Sequence, residues 1–128
     1  MTDMELIKIA FDASETAYAP YSGFKVGAAL ECSDGTVFTG CNVENAAYGA
    51  AICAERTAVC KAVSEGHMDF IRLAVAAKSD DYCVPCGTCR QVLHEFAPDL
   101  RVLCANRDGE YVRYRVRELL PHGFELKK

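Results

Sequence analysis

Apolar positions recur along residues 4–18 (MELIKIAFDASETAY) with the spacing of a helix. Leu6, Ile7, Ala10, Ala13 with Ser14, and Ala17 fall on one stripe, and Pro20 bars further helix just beyond. FKVGAALE (24–31) and TVFTGCNV (36–43) are rich in strand-forming residues, and the SDG between them is a turn signal, so the pair reads as a hairpin. Helical spacing returns over 53–65 (CAERTAVCKAVSE) and ends at Gly66. IRLAVAA (71–77) is an almost unbroken apolar run, as expected of a central strand covered on both faces. A further helix is predicted over 86–96, stopping before Pro98. Strands follow over LRVLCA (100–105) and YVRYRV (111–116), with NRDG turning the chain between them. A short helix at Arg117–Leu120 precedes the tail PHGFELKK.

The predicted order is helix, hairpin, helix, strand, helix, strand, strand. Such alternation calls for a three-layer α/β/α sandwich around a mixed, roughly five-stranded sheet. At 128 residues the chain is expected to form one domain, residues 1–128, with no internal repeat or linker.

Composition narrows the picture. An apolar content of 51% and a mean hydropathy near zero describe a globular rather than a disordered chain. The longest apolar run, around 46–54, is broken by Tyr48 and Gly49, so no membrane span is expected. The N-terminal MTDMELIKIAF carries acids in a helical pattern, and a signal peptide is not expected. A net charge of −4 argues against a nucleic-acid-binding surface. Eight cysteines could form disulfides, but the tight cluster of Cys83, Cys86 and Cys89 in a chain without a secretion signal points to reduced thiols, a metal and the cytoplasm.

Cys86 and Cys89 stand one turn apart at a helix start, where free N–H groups and the helix dipole favour thiolates. Two ligands seldom make a zinc site. Cys53 opens the other interior helix, so two helix N-termini converging beside the sheet would supply three thiolates and leave a fourth tetrahedral position open. That is the pattern of a catalytic site, whereas structural sites are closed by four ligands. Glu55, two residues from Cys53, can reach the open position without binding the metal, as a general acid/base must. Against this stand a structural zinc knuckle closed by Cys83 and one more cysteine, and an iron–sulfur run, for which Leu93 occupies the place of the fourth cysteine. His94 lies about 12 Å along the helix from Cys86, too far to be a ligand. Cys32, Cys41, Cys60 and Cys104 read as small core residues and His67 as a solvated loop residue. Arg113, Arg115 and Arg117 alternate as a solvated basic face with acid partners such as Glu110 or Glu118.

Five stretches, YAPYSGFKVGAAL (18–30), GCNVENAAYG (40–49), CAERTA (53–58), PCGTCRQ (85–91) and ELLPHGF (118–124), together resemble the cytidine deaminases of the small, homotetrameric, zinc-dependent type. The resemblance covers nearly the whole chain. It departs at Thr88, where alanine is common, and at His122-Gly123 before Phe124. It implies that Cys53, Cys86 and Cys89 bind one Zn²⁺ per subunit and that Glu55 shuttles protons. It further implies substrate contacts from Phe24, Asn42, Val43, Glu44 and the backbone of Ala54, with Asn42 and Glu44 on the ribose 3′-hydroxyl. Tyr48 and Phe124 would complete a neighbouring subunit's pocket. Three thiolates leave the metal centre with a formal charge of about −1, which a cation should offset; Arg56, with Arg90 second, is placed to hydrogen-bond the thiolates.

The expected activity is therefore hydrolytic deamination of free cytidine and 2′-deoxycytidine in pyrimidine salvage, with no nucleic-acid or membrane partner. The alternatives are a deaminase of a cytosine-bearing antibiotic nucleoside resembling blasticidin S, a polynucleotide-editing enzyme, and a structural zinc or iron–sulfur module without catalysis.

Overall fold

The computed structural model describes residues 1–128. In chain order the elements are α1 (Asp3–Ser14), β1 (Val26–Cys32), β2 (Val37–Cys41), a 3₁₀ turn (Tyr48–Ala50), α2 (Ala54–Ser64), β3 (Phe70–Ala77), α3 (Gly87–Phe96), β4 (Arg101–Ala105), β5 (Tyr111–Arg115) and α4 (Val116–Leu119). The five strands form one mixed sheet in the order β2-β1-β3-β4-β5. Only β3 and β4 run parallel, as the predicted class requires.

Alternation along β3 builds the layers. Leu73 and Val75 join the core shared with α2 and α3, while Ala74 and Ala76 join the one shared with α1. Small residues on the second face let α1 approach closely. A Cβ on Gly27 would lie 1.8 Å from the Ala10 carbonyl oxygen, so only glycine fits where α1 crosses β1. A Cβ on Gly40 would likewise lie 2.3 Å from the Ala54 carbonyl oxygen, which presses the first turn of α2 onto β2.

Strand directions decide where the helices begin. β2 is antiparallel to β1 and β1 to β3, so β2 and β3 run the same way. The chain leaves both at one end of the sheet, and α2 and α3 therefore both start there. Ligand sites in open α/β sheets lie at such carboxyl ends.

The first helix ends at Ser14, short of the predicted 18. The Ser14 hydroxyl donates to the Phe11 carbonyl (2.6 Å) and the Thr16 hydroxyl to that of Ala13 (3.0 Å). Such side-chain bonds compete with the helix. Tyr18 is then drawn into a bridge with Val43, its N–H donating to the Asn42 carbonyl at 3.0 Å. Cys32 and Cys104 are buried as expected, but Cys41 is only half-buried and Cys60 is exposed on α2. His67 is not simply solvated: Nε2 meets Asp34 at 3.0 Å and the ring packs edge-on against Phe38. Of the expected arginine partners, Glu118 accepts the Arg115 backbone N–H at 2.7 Å, but the guanidinium groups go elsewhere. Asp99 holds Arg117 (2.6 Å), its carbonyl takes Arg115 (2.9 Å), and Asp3 faces Arg113 (3.7 Å).

One ion cluster locks α1 to the sheet. Arg72 reaches Glu31 at 2.6 Å, Asp3 at 2.8 Å and the Met1 carbonyl at 2.8 Å, largely out of solvent. Arg72→Leu leaves two shielded carboxylates without their cation, so unfolding in urea should show a loss of about 3 kcal/mol. A midpoint unchanged within error would show that water replaces the guanidinium without cost.

Candidate metal centre

Cys53 is the N-cap of α2 and Cys86 the N-cap of α3. Both have extended backbone angles, and neither uses its side chain to cap. Each sulfur thus stands in front of a helix N-terminus, the end that favours anions. Cys89 lies in the first turn of α3 and is fully buried. The Cys53 and Cys86 sulfurs are 3.8 Å apart, and all three sulfurs lie within 4.8 Å of one another. Tetrahedral ligands at the 2.3 Å of a Zn–S bond stand about 3.8 Å apart, so the thiols fit that metal with one vertex to spare. Thr57 steadies the arrangement, its hydroxyl donating to the Cys41 carbonyl at 3.0 Å and so tying α2 to the end of β2.

The thiols are not equivalent. Hydrogen bonds from Cys89, and then from Arg56 and Cys86, hold the Cys53 thiol well below the ordinary range. Cys89 goes the other way, because it donates to Cys53 and is buried. Arg56 Nη2 donates to Cys53 Sγ at 3.3 Å. Arg90, expected beside it, instead donates to the carbonyls of Pro85 (2.8 Å) and Leu119 (3.0 Å), bracing the approach to α3 rather than a sulfur. Burial among apolar atoms pushes Cys83 and Cys104 up to about 12, the behaviour of protonated packing residues. Cys83 does not join the three-sulfur group.

Glu55, in the first turn of α2, is only 5% exposed. Burial, with the Cys53 sulfur adding to it, pushes its carboxyl up to about 7. Ala54, also buried, occupies the first helical position, where the N–H has no intrahelical acceptor.

A second cluster forms around residues 42–44. Val43 exchanges backbone hydrogen bonds with Ile52 (2.9 and 3.0 Å), and the Glu44 N–H donates to the Tyr18 carbonyl (2.8 Å). The Val43 side chain is exposed. Asn42 Oδ1 accepts from the Val26 N–H at 2.9 Å, and Nδ2 donates to the Phe24 carbonyl at 2.8 Å. One amide proton of Asn42 therefore remains free. Glu44 accepts from the N–H groups of Tyr21 (3.0 Å) and Ser22 (3.2 Å) and from the Ser22 hydroxyl. Tyr48, 82% exposed, shares with Glu44, Tyr21 and Ser22 a groove of about 360 Å³. Phe24 is exposed on the neighbouring loop.

Phe124 stands 66% exposed on the tail. Gln91 of α3 moors it: Nε2 donates to the Phe124 carbonyl at 2.9 Å and Oε1 accepts its N–H at 3.0 Å. Gly123 lies flat against His94, where a Cβ would come within 2.7 Å of the ring. Neither Gln91 nor Ser22 was assigned a role by sequence reasoning. The Ser-Gly pair is a turn signal that points to Ser22, but nothing local points to Gln91.

The family model for the cytidine and deoxycytidylate deaminase zinc-binding region matches residues 1–105. A cytidine deaminase of Halalkalibacterium halodurans is 51% identical over 120 residues, 93% of this chain and 91% of that protein. Another, from Sporosarcina psychrophila, is 48% identical over 94% of this chain and 89% of its own. The crystal structure of cytidine deaminase from Burkholderia pseudomallei aligns with a TM-score of 0.94 at 48% identity, covering 97% of this chain and 100% of that one.

Proposed function

Since the chain belongs to the cytidine and deoxycytidylate deaminase family, we propose that it hydrolyses cytidine and 2′-deoxycytidine to uridine and 2′-deoxyuridine, releasing ammonia, in pyrimidine salvage. It is a hydrolase acting on the exocyclic C–N bond of a cyclic amidine. One observation carries the reading: three thiols converge with a vertex to spare, beside a buried carboxyl that is not one of them.

Cys53, Cys86 and Cys89 are the residues to hold one zinc ion. When bound, zinc supplies the Lewis acidity that makes water a nucleophile near neutral pH. Glu55 takes the proton of the attacking water and delivers it to N3 of the base, so that C4 becomes electrophilic enough to accept the new C–O bond. It then takes the remaining proton of the hydroxyl added at C4 and passes it to the 4-amino group, so that the C4–N bond breaks as the C4–O bond becomes the carbonyl of uridine, and ammonia leaves. Arg56, through its bond to Cys53, offsets part of the charge of three thiolates. The N–H of Ala54, which has no acceptor within its helix, donates to the pyrimidine O2 in this reading.

Sugar recognition follows from what Asn42 and Glu44 have left to offer. Asn42 has one donor and Glu44 only acceptors, so the group that satisfies both at once accepts from one and donates to the other. A hydroxyl does this, whereas a ketone only accepts and an alkylammonium only donates. Assigning that hydroxyl to the ribose 3′ position leaves the 2′ position unread, hence tolerance of both sugars. Phe24 and Val43 supply apolar contact. An antibiotic nucleoside with a different sugar would not use the Asn42–Glu44 pair, and that disfavours it as the substrate.

Tyr48 and Phe124 are large aromatic side chains left 82% and 66% exposed on the single chain, and Gln91 moors the segment that carries Phe124 to α3. This supports a homotetramer in which each lines a neighbour's site. No helix is long and apolar enough to cross a membrane. Free thiols in a family of nucleoside enzymes favour the cytoplasm.

Purified protein mixed with cytidine should lose absorbance at the long-wavelength edge of the cytosine band, and a zinc chelator should abolish the loss. Stoichiometric zinc without any change in absorbance would overturn the nucleoside reading.

A further inference from the structure

We propose that Ser22 is a positioning residue for sugar recognition, its hydroxyl holding the Glu44 carboxylate in the orientation that accepts the nucleoside's 3′-hydroxyl. The inference rests on the assignment of Glu44 to the sugar. What is new is that the carboxylate does not act alone.

Glu44 follows β2 on an irregular stretch, and its side chain is only partly shielded. A glutamate there, with three rotatable bonds, would sample many directions. Here both oxygens are spoken for. Oε1 accepts from the Tyr21 and Ser22 N–H groups (3.0 and 3.2 Å), and Oε2 has the Ser22 hydroxyl as its one protein partner. The hydroxyl has a single proton, and its oxygen in turn accepts the Phe24 N–H at 3.0 Å. That incoming donor leaves the Ser22 proton pointing at Glu44. The relay therefore runs from the Phe24 N–H through Ser22 Oγ–H to Glu44 Oε2, each bond polarising the next. Gly23, with φ of +70°, is the residue that lets the loop fold back for this, its N–H donating to the Ala19 carbonyl at 2.9 Å. Without the hydroxyl, Oε1 keeps its two backbone donors but Oε2 is released, and the carboxylate can rotate away from the groove it lines with Ser22 and Tyr48.

Steady-state kinetics on cytidine and on 3′-deoxycytidine, which lacks the hydroxyl in question, separate positioning from simple support of the loop. Ser22→Ala should raise KM for cytidine roughly tenfold, as for loss of a hydrogen bond to a charged group, with kcat within about twofold of the parent. On 3′-deoxycytidine the parent and Ser22→Ala should have the same KM. Ser22→Thr, which keeps a hydroxyl, should recover most of the cytidine KM. Equal KM penalties on both nucleosides, or an equal fall in kcat on both, would mean that Ser22 only supports the loop, and the proposal would be overturned. Glu44→Gln is the control for the reading beneath it. If that variant distinguishes the two nucleosides and Ser22→Ala does not, Glu44 keeps its role and Ser22 loses its own. If Glu44→Gln penalises both nucleosides alike, the sugar assignment falls, and this inference with it. Should Ser22→Ala fail to fold, Ser22→Cys, a weaker donor of similar shape, gives the same comparison.

Discussion

Glu55→Gln should remove turnover and leave the metal in place. The amide matches the carboxyl in size, so a side chain only 5% exposed is replaced without a cavity. Glutamine cannot take a proton from water or return one to N3 and the departing amine. Each of those transfers would otherwise fall to solvent, which the burial of this position excludes. One positioned acid/base group is worth about 10²–10⁴-fold, and here the same group serves successive transfers, so kcat is expected to fall by roughly 10⁴-fold. Zinc content measured on the same preparation should match that of the parent, because the three sulfurs are untouched. Thermal stability should hold or rise slightly, since a buried ionisable group gives way to a neutral one. Two outcomes contradict this. Unchanged turnover would take Glu55 out of the proton path, and loss of zinc would make it a ligand, closing the vertex that the chemistry needs.

How far a reader of the sequence could get depends on which interactions repeat along the chain. Helix and strand periods are local, so Leu6, Ile7 and Ala10 announce α1, and the unbroken run 71–77 announces a strand covered on both faces. The five-stranded mixed sheet between helical layers matches that expectation. The placing of CAE and PCGTC at helix starts was also local, since proline, glycine and the apolar period mark such starts. What was not legible is the polar stitching between distant segments. Arg72 finds Asp3 and Glu31 only once α1 lies on β3. Tyr18 leaves the helical pattern because Val43 is there to pair with it. Arg90 stood second to Arg56 as a thiolate partner, but the carbonyls of Pro85 and Leu119 accept its hydrogen bonds. The convergence of the cysteines is intermediate. The hairpin was legible, but the placing of β1 between β2 and β3, which sends both helices off one end, was not.

Cys89→Ala and Cys83→Ala should part company completely. Both cysteines lie close to the centre in sequence, and a four-thiol structural site would need Cys83 as much as Cys89. Cys89 is fully buried and its sulfur belongs to the three-sulfur group, whereas Cys83 is a high-pKa thiol packed at the edge of the core. With Cys89 gone, two sulfurs at two helix ends remain, too few to hold zinc against water. Loss of an outer-shell partner already weakens metal binding about 10–100-fold, so loss of a ligand should exceed that, and zinc content and deamination should vanish together. Stability should fall as well, because the metal that binds only the folded chain no longer favours it. Cys83→Ala should keep full zinc and full turnover, at a packing cost of about 1 kcal/mol. If instead Cys83→Ala lost its zinc, the centre would have four thiolates and no position for water, and a hydrolytic role would be untenable whatever the family. The pair of variants thus tests one physical point: three sulfurs with a vacant vertex make a reagent, and four make only a clasp.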